Sequence, residues 1–143
     1  MRGVLAILAI LLVLTVPGCT QQEDSYPVKY KGDVSIKDGK LLVKFERQSD
    51  VIPELLKIRM VYRKELSIRN SAGELLPKTK EGSGFVSTEI LADREVKEGT
   101  YEFMVSGGEE GVSGYRIEVS MISYYGDSGY VHFKKEVEYR LES

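Results

Sequence analysis

The 143-residue sequence contains no tryptophan, one cysteine (Cys19), one histidine (His132) and one asparagine (Asn70). A lone cysteine cannot form an intramolecular disulfide, so the fold must be stable on its hydrophobic core alone. Zinc sites in proteins use three or four ligands, mostly histidine and cysteine. The sequence has only one residue of each type, so we expect no zinc site. An Asp-x-Asp-x-Asp-Gly calcium loop is also absent. We therefore expect neither a metal nor a cofactor.

An excess of charge of one sign is missing as well. The chain has 20 basic and 22 acidic residues, for a formal net charge of −2, and both signs are mixed along it. Such a surface attracts neither nucleic acid nor anionic lipid headgroups as a whole. We expect no nucleic-acid partner, and the length suits one domain.

Long apolar runs are absent except at the head of the chain. Met1-Arg2-Gly3 precedes a run from Val4 to Val16 in which Thr15 is the only polar residue. A basic start, an apolar stretch and a small residue before a cleavage site are typical of a secretory signal peptide. The run is shorter than the roughly 20 apolar residues of a spanning helix. We predict a signal peptide over residues 1–18.

The segment Val16-Pro17-Gly18-Cys19 resembles the lipobox of prokaryotic (bacterial or archaeal) lipoproteins, with a small residue before the cysteine and an aliphatic residue three before it. The resemblance implies cleavage after Gly18, a diacylglycerol on Cys19, and retention at the membrane outside the cytoplasm. Two acyl chains would anchor a protein stably. The alternative is a free thiol beside a signal cut elsewhere. The polar residues that follow predict a flexible tether, so we assign 19–27 to lipidated cysteine and tether.

Alternation with a period of two dominates the remaining chain and predicts half-buried strands. The residues that share a face are Leu41, Val43 and Phe45; Ile58, Met60 and Tyr62; Leu66 and Ile68; Val86, Thr88 and Ile90; Tyr101, Phe103 and Val105; Tyr115, Ile117, Val119 and Met121; and Val131, Phe133, Val137, Tyr139 and Leu141. Turn sequences lie between them at 37–40, 70–73, 97–99 and 126–129. Seven or so strands predict an all-β, antiparallel sandwich over residues 28–143.

Two segments are less clear. A single helical turn around residues 49–57 is the best helical candidate, and a strand bulge is the alternative. The segment from Val96 to Val105 resembles a late strand of immunoglobulin-like and fibronectin-like domains, in which a turn glycine (here Gly99) precedes an inward aromatic residue. This resemblance implies an immunoglobulin-like architecture and says nothing about function.

Two glycine-containing stretches are candidates for functional loops. Gly126-Asp127-Ser128-Gly129 looks like the surroundings of the nucleophile in chymotrypsin-like serine proteases, but Tyr130 stands where that family has glycine, and His132 is too close in sequence. We interpret the stretch as a hairpin turn. The Lys78–Gly84 stretch is interpreted as a solvated loop.

The orientation of His132 follows from alternation. If Val131 and Phe133 face the core, His132 faces solvent.

Tyrosine is abundant, with nine residues, and Tyr124, Tyr125 and Tyr130 flank the last turn. They form a possible binding surface, because tyrosine combines contact area with a polar tip. The alternative is cross-strand pairing that stiffens the hairpin.

For the function of the chain, we predict a non-enzymatic interaction module that binds an exported protein or a glycan. The alternatives are an accessory subunit of a membrane complex and a hydrolase with two carboxylates in one cleft.

Overall fold

Nine strands build the domain in a computed structural model that describes residues 26–141. The strands are β1 (Tyr30–Lys37), β2 (Lys40–Arg47), β3 (Leu55–Arg63), β4 (Leu66–Asn70), β5 (Thr79–Gly82), β6 (Phe85–Leu91), β7 (Glu98–Gly107), β8 (Gly114–Tyr125) and β9 (Ser128–Arg140). Within the described residues no helix occurs. The predicted signal peptide and Cys19 lie outside the described residues.

The strands form two antiparallel sheets. One sheet has the order β1-β2-β7-β4 and the other the order β5-β6-β3-β8-β9. Strands β1, β2, β7 and β4 occupy the A, B, E and D positions of an immunoglobulin sandwich, while β3, β8 and β9 occupy the C, F and G positions. The β5–β6 hairpin extends the second sheet beyond β3. The prediction of an all-β, immunoglobulin-like antiparallel sandwich is confirmed.

The core lies between the sheets and is built by the alternation seen in the sequence. On β2, β3 and β8 the predicted inward residues are at most 6% exposed, for example Leu41, Ile58 and Met121. Thr88 of β6 is also inward, because its hydroxyl bonds the buried Tyr62 hydroxyl at 2.7 Å. Burial of such side chains is worth about 1.5–3 kcal/mol each, which provides the stability that a disulfide cannot.

Two of the nine strands were not predicted. Strand β1 has a glycine, Gly32, at an inward position, which interrupts the apolar pattern. A Cβ atom there would lie 2.5 Å from the Phe133 ring and 2.3 Å from the Lys44 carbonyl oxygen, so only glycine fits. Strand β5 lies within the Lys78–Gly84 stretch that we predicted as a loop. It is an edge strand with no buried residue, so no alternation reveals it.

The turns agree in part with the sequence. Asp38 and Gly39 have φ of 53° and 78°, as a type I′ turn requires between β1 and β2. The predicted turn at 97–99 is wrong, because residues 98 and 99 belong to β7 and the turn lies at 94–95. The helical turn at 49–57 is also wrong. Residues 48–54 form a connecting loop in which the Ser49 hydroxyl accepts the Lys29 backbone N–H instead of capping a helix.

The connections group at the two ends of the sandwich. We call the end with Tyr26, loops 48–54 and 92–97 and the β8–β9 turn at 126–127 the hairpin end. Strands β1 and β9 lie side by side and both start there, with Asp33 and Lys135 paired at 3.1 Å. Leu141, the last described residue, therefore lies at the opposite end.

Candidate functional site

A β-bulge at His132 decides how the last hairpin presents its side chains. Met121 pairs with Phe133 and Ile122 pairs with Val131, so His132 is an extra residue in β9. The bulge reverses the alternation: Val131 is 51% exposed, whereas His132 and Phe133 are both half-buried. The predictions of a solvent-facing His132 and an inward Val131 are therefore wrong, and the bulge is the reason.

The imidazole of His132 lies in a hydrogen-bonded chain of side chains. Its Nδ1 atom accepts the backbone N–H of Tyr30 at 3.4 Å. Its Nε2 atom lies 2.6 Å from Oγ of Ser123, which is fully buried. The same Oγ atom lies 2.7 Å from the Tyr26 hydroxyl. Burial lowers the pKa of His132 to about 4, so the ring is neutral at physiological pH.

Aromatic rings close around this chain. The Tyr26 ring stacks on Tyr130 with centroids 4.8 Å apart, and Tyr130 lies 4.9 Å from the His132 ring. Tyr30 meets the same imidazole edge-on at 5.2 Å. These residues and Gln48 line a concavity of about 240 Å³. Tyr26, which the sequence assigned to the flexible tether, therefore packs against the domain.

The arrangement cannot activate a serine nucleophile. A neutral imidazole that accepts a hydrogen bond at Nδ1 carries its proton at Nε2. Nε2 of His132 therefore donates to Ser123 and cannot accept the proton of its hydroxyl. Ser128 opens β9 after a two-residue turn, in which Gly126 has φ of 62°, so the hairpin interpretation of 126–129 is confirmed. Ser123 was not predicted as part of a site, although its inward position on β8, two residues after Met121, was an available signal.

Arg47 binds the loops of the hairpin end to one another. Its side chain is buried, with the residue only 8% exposed. The guanidinium donates to the carbonyl of Ser49 at 3.0 Å and to the carbonyls of Arg94 and Val96 at 3.2 and 3.3 Å. Arg94 in turn donates to the carbonyl of Pro53 at 3.1 Å. The hairpin end is thus a hydrogen-bonded platform rather than a set of separate loops.

The three predicted binding tyrosines lie near one another in the hairpin but on two faces of it. Tyr124 points to the outer face of the five-stranded sheet, where Lys57 Nζ lies 5.4 Å from the centre of its ring. Tyr125 and Tyr130 lie on the opposite face, 39% and 37% exposed. Alternation along β8 separates Tyr124 from Tyr125, and cross-strand register aligns Tyr130 with the inward Ser123.

An apolar surface spans four strands of the outer face beside the hairpin end. Its members, which we call the outer-face patch, are Leu55, Lys57, Leu91, Ile122, Tyr124 and Val131. The register places Leu91, Lys57, Ile122 and Val131 in one row, and Leu55 beside Tyr124 in the next. Leu91 is 66% exposed and Val131 51%. Contiguous exposed apolar side chains mark interaction surfaces more often than isolated ones do.

A second concavity lies on the outer face of the four-stranded sheet, with a volume of about 570 Å³. Carboxylates of Asp33, Glu46 and Glu98 line it together with lysines. The hydrogen bond from Lys135 lowers the pKa of Asp33, and Glu46 pairs with Lys31 at 3.7 Å. A general acid of a glycoside hydrolase needs a raised pKa, which is the opposite direction from that of Asp33.

Neither a metal-binding cluster nor a membrane-spanning helix is found in the described part of the chain. Residues 26–141 hold no group of three or more His, Cys, Asp or Glu side chains placed to bind a metal ion. Over the same residues, no helix is long and apolar enough to cross a bilayer.

Comparison with known proteins gives structural likeness only. The chain matches no protein-family model and no curated protein sequence. It is similar to the collagen-binding subdomain of the Enterococcus faecalis surface protein ACE (TM-score 0.38, 8% identity, 80% of this chain and 97% of that one). It is also similar to a collagen-binding domain from a Staphylococcus aureus adhesin (TM-score 0.34, 5% identity, 80% and 97%). A Ruminococcus gnavus beta-glucuronidase matches at TM-score 0.25 and 18% identity, over 81% of this chain and 15% of that one. At these scores the likeness supports no functional argument.

Proposed function

We propose that this chain is an exported, lipid-anchored, non-catalytic module that binds another exported protein through the outer-face patch. The observation that carries the proposal is the row of Leu91, Lys57, Ile122 and Val131 across four strands, of which the two outer members are more than half exposed. The anchor at Cys19 is supported by the lipobox resemblance in the sequence.

The form of the patch favours a protein partner over a glycan. It is a sheet surface with aliphatic side chains and one aromatic ring, that of Tyr124, whereas small-molecule sites are concave and enclose most of the surface of their ligand. Lys57 lies within the patch and pairs with Glu89 beside it at 3.5 Å. Apolar side chains with polar groups among and around them are the usual composition of a protein–protein interface.

The strand edges favour a surface contact over strand addition. The exposed part of β9 carries Lys134, Lys135 and Glu136, and a bulge interrupts it at His132. Edge strand β5 has four residues and a bulge of its own. Charges, short length and bulges all prevent an edge from pairing with another chain.

The partner surface is tested by covalent capture in native membranes. The lipidated protein is cross-linked and compared with a Leu91→Glu, Val131→Glu double variant. We expect the double variant to lose a defined cross-linked protein that the native chain captures, because two buried carboxylates would have no partners in the interface.

Met104→Glu is the matched control, since Met104 is 40% exposed on the other sheet. Capture should be unchanged in this variant. Equal capture by the native chain and the double variant would show that the outer-face patch is not the binding surface.

The anchor is tested separately by mass spectrometry of the membrane-bound protein. We expect a chain that begins at Cys19 and carries a diacylglycerol on its thiol, and release of the Cys19→Ser variant from the membrane. An unmodified Cys19 on membrane-bound protein would refute the anchor and leave the question of the patch open to the capture experiment.

A further inference from the structure

We infer that the hairpin end of the anchored domain docks onto the headgroup interface of a zwitterionic bilayer. This inference rests on the proposed attachment of the chain to a membrane through Cys19. It concerns a surface distinct from the outer-face patch: the tip of the sandwich, formed by loops 48–54 and 92–97 and the β8–β9 turn.

The path of the chain places this end next to the anchor. The Tyr26 ring stacks on Tyr130 and its hydroxyl bonds Ser123, so the chain enters the domain at the hairpin end. Cys19 lies seven residues earlier, which spans at most about 25 Å even when fully extended. The 13 residues of β9 carry the sandwich about 40 Å away from this point. The hairpin end is therefore the end that the anchor holds close to lipid.

Exposed apolar side chains concentrate at the same end. Outside the outer-face patch, eight large apolar side chains are exposed among the described residues, and four of them lie there. They are Ile52, Val96, Tyr125 and Tyr130. Phe85 and Val112 lie at the opposite end. Tyrosine is enriched at membrane interfaces, because its ring is apolar and its hydroxyl stays in the headgroup region.

The loops of the hairpin end are held rigidly together, so a few weak contacts with lipid are enough for docking. Arg47 binds loops 48–54 and 92–97 to each other through three backbone carbonyls. The backbone N–H of Gly126 donates to the Glu54 carboxylate at 3.3 Å, which joins the β8–β9 turn to the first loop. Tethering through Cys19 makes docking an intramolecular step with an effective concentration in the mM range. Little ordering entropy then opposes insertion of a few side chains.

The charges of the tip determine which lipid it suits. Five carboxylates lie at this end, those of Asp50, Glu54, Asp93, Glu95 and Asp127. Lys29, Arg94 and Lys97 supply three exposed positive charges, and Arg47 supplies a fourth that is buried. A tip with more carboxylates than cations is repelled by anionic headgroups. Zwitterionic lipid is therefore the surface that the tip fits.

The absence of tryptophan makes the test direct, since one introduced tryptophan is the sole indole of the chain. Tyr125→Trp and Ile52→Trp place it in the tip, and Phe85→Trp places it at the opposite end as the matched control. Each protein, beginning at Cys19, is coupled through that single thiol to maleimide lipid in phosphatidylcholine vesicles. Chemical coupling reproduces the anchor whether or not cells lipidate the protein.

The readout is quenching of the indole by brominated acyl chains. We expect roughly twofold quenching for the two tip variants, because interfacial residues reach the headgroup–acyl boundary, and none for Phe85→Trp. Replacing half of the phosphatidylcholine by phosphatidylglycerol should reduce the quenching. Two tip variants are used so that the test still gives a result if one of them fails to fold.

The inference is overturned if neither tip variant is quenched, or if all three positions are quenched alike. Docking that needs an added membrane protein would also overturn it, because the vesicles contain lipid alone. Failure of natural lipidation would instead be seen by mass spectrometry of Cys19 and would leave the vesicle result unchanged. The two failures are therefore distinguishable.

Discussion

The Nε2 atom of His132 lies 2.6 Å from Oγ of Ser123, and its Nδ1 atom accepts the backbone N–H of Tyr30. A serine and a histidine at this distance resemble part of a catalytic dyad, yet the hydrogen bond at Nδ1 leaves the proton on Nε2. The pair therefore joins β8 to β9 and, through Tyr26, joins the entering chain to the domain. The pair is a structural link in which one member, His132, can be protonated.

The domain should become less stable as the pH is lowered, because His132 is buried. Burial lowers its pKa from 6.5 to about 4 in the folded state, so the unfolded chain binds the proton more tightly. The contribution of neutral His132 is fully present above pH 6.5 and is lost as the pH falls towards 4. The loss in unfolding free energy is at most about 3 kcal/mol.

Urea unfolding between pH 7 and pH 4.5 measures this effect, with His132→Gln as the reference that cannot titrate in this range. The native chain should lose more stability than the variant over the interval. Parallel pH profiles for the two proteins would contradict the assignment.

Gly32→Ala should destabilise the domain by about 1–3 kcal/mol, the usual range for overpacking. The new methyl group would meet the Phe133 ring and the Lys44 carbonyl oxygen well inside contact distance, at 2.5 and 2.3 Å. Gly114→Ala is the control, because its nearest neighbour is the end of the flexible Glu138 side chain. Thermal unfolding should separate the two, and equal stability of both variants would count against the tight β1–β9 contact.

Arg47→Met should cost about 2 kcal/mol of stability, because partly buried hydrogen bonds to the carbonyls of two loops lose their charged donor. Arg47→Lys should restore little, since an ammonium group lacks the planar fork of donors. Arg69→Met serves for comparison: Arg69 is exposed and donates to the Gly73 carbonyl at 3.0 Å. Hydrogen exchange of loops 48–54 and 92–97 should rise in the Arg47 variants alone. Unchanged exchange there would mean that Arg47 does not hold the platform together.

A fluorophosphonate probe should label neither Ser123 nor Ser128. Ser123 is fully buried and faces a donor, and Ser128 opens β9 at an exposed hairpin turn. Labelling is read by mass spectrometry on the native chain and on Ser123→Ala and Ser128→Ala. A signal that either substitution abolishes would establish a nucleophile and refute the non-catalytic proposal.

The inward residues of β2, β3 and β8 could be predicted because alternation is a local property of the backbone. Leu41, Ile58 and Ile117 are each fully buried where the pattern places them. Strand β1 could not be found in this way, since the glycine at position 32 is required by a ring from β9. Strand β5 has no buried side chain, and therefore nothing in its sequence distinguishes it from a loop.

The candidate site was predicted less well than the fold. Tyr124, Tyr125 and Tyr130 were grouped by their closeness in sequence, whereas the register of β8 and β9 distributes them over two faces. Ser123 was overlooked because a serine has no hydrophobic signal. The outer-face patch draws on β3, β6, β8 and β9, so it exists only once those strands are paired.

By itself, the sequence determined that the domain is an all-β sandwich without disulfides and which side chains of most strands face its core. Both follow from residue type and from a period of two. The tertiary structure alone decided the orientation of His132, the docking of Tyr26 and the side to which Val131 points. The orientation of His132 and the side to which Val131 points depend on one extra residue in β9, and a bulge is defined by pairing with a partner strand, which no local pattern contains. The docking of Tyr26 depends on contacts with Ser123 and Tyr130, which are distant in sequence.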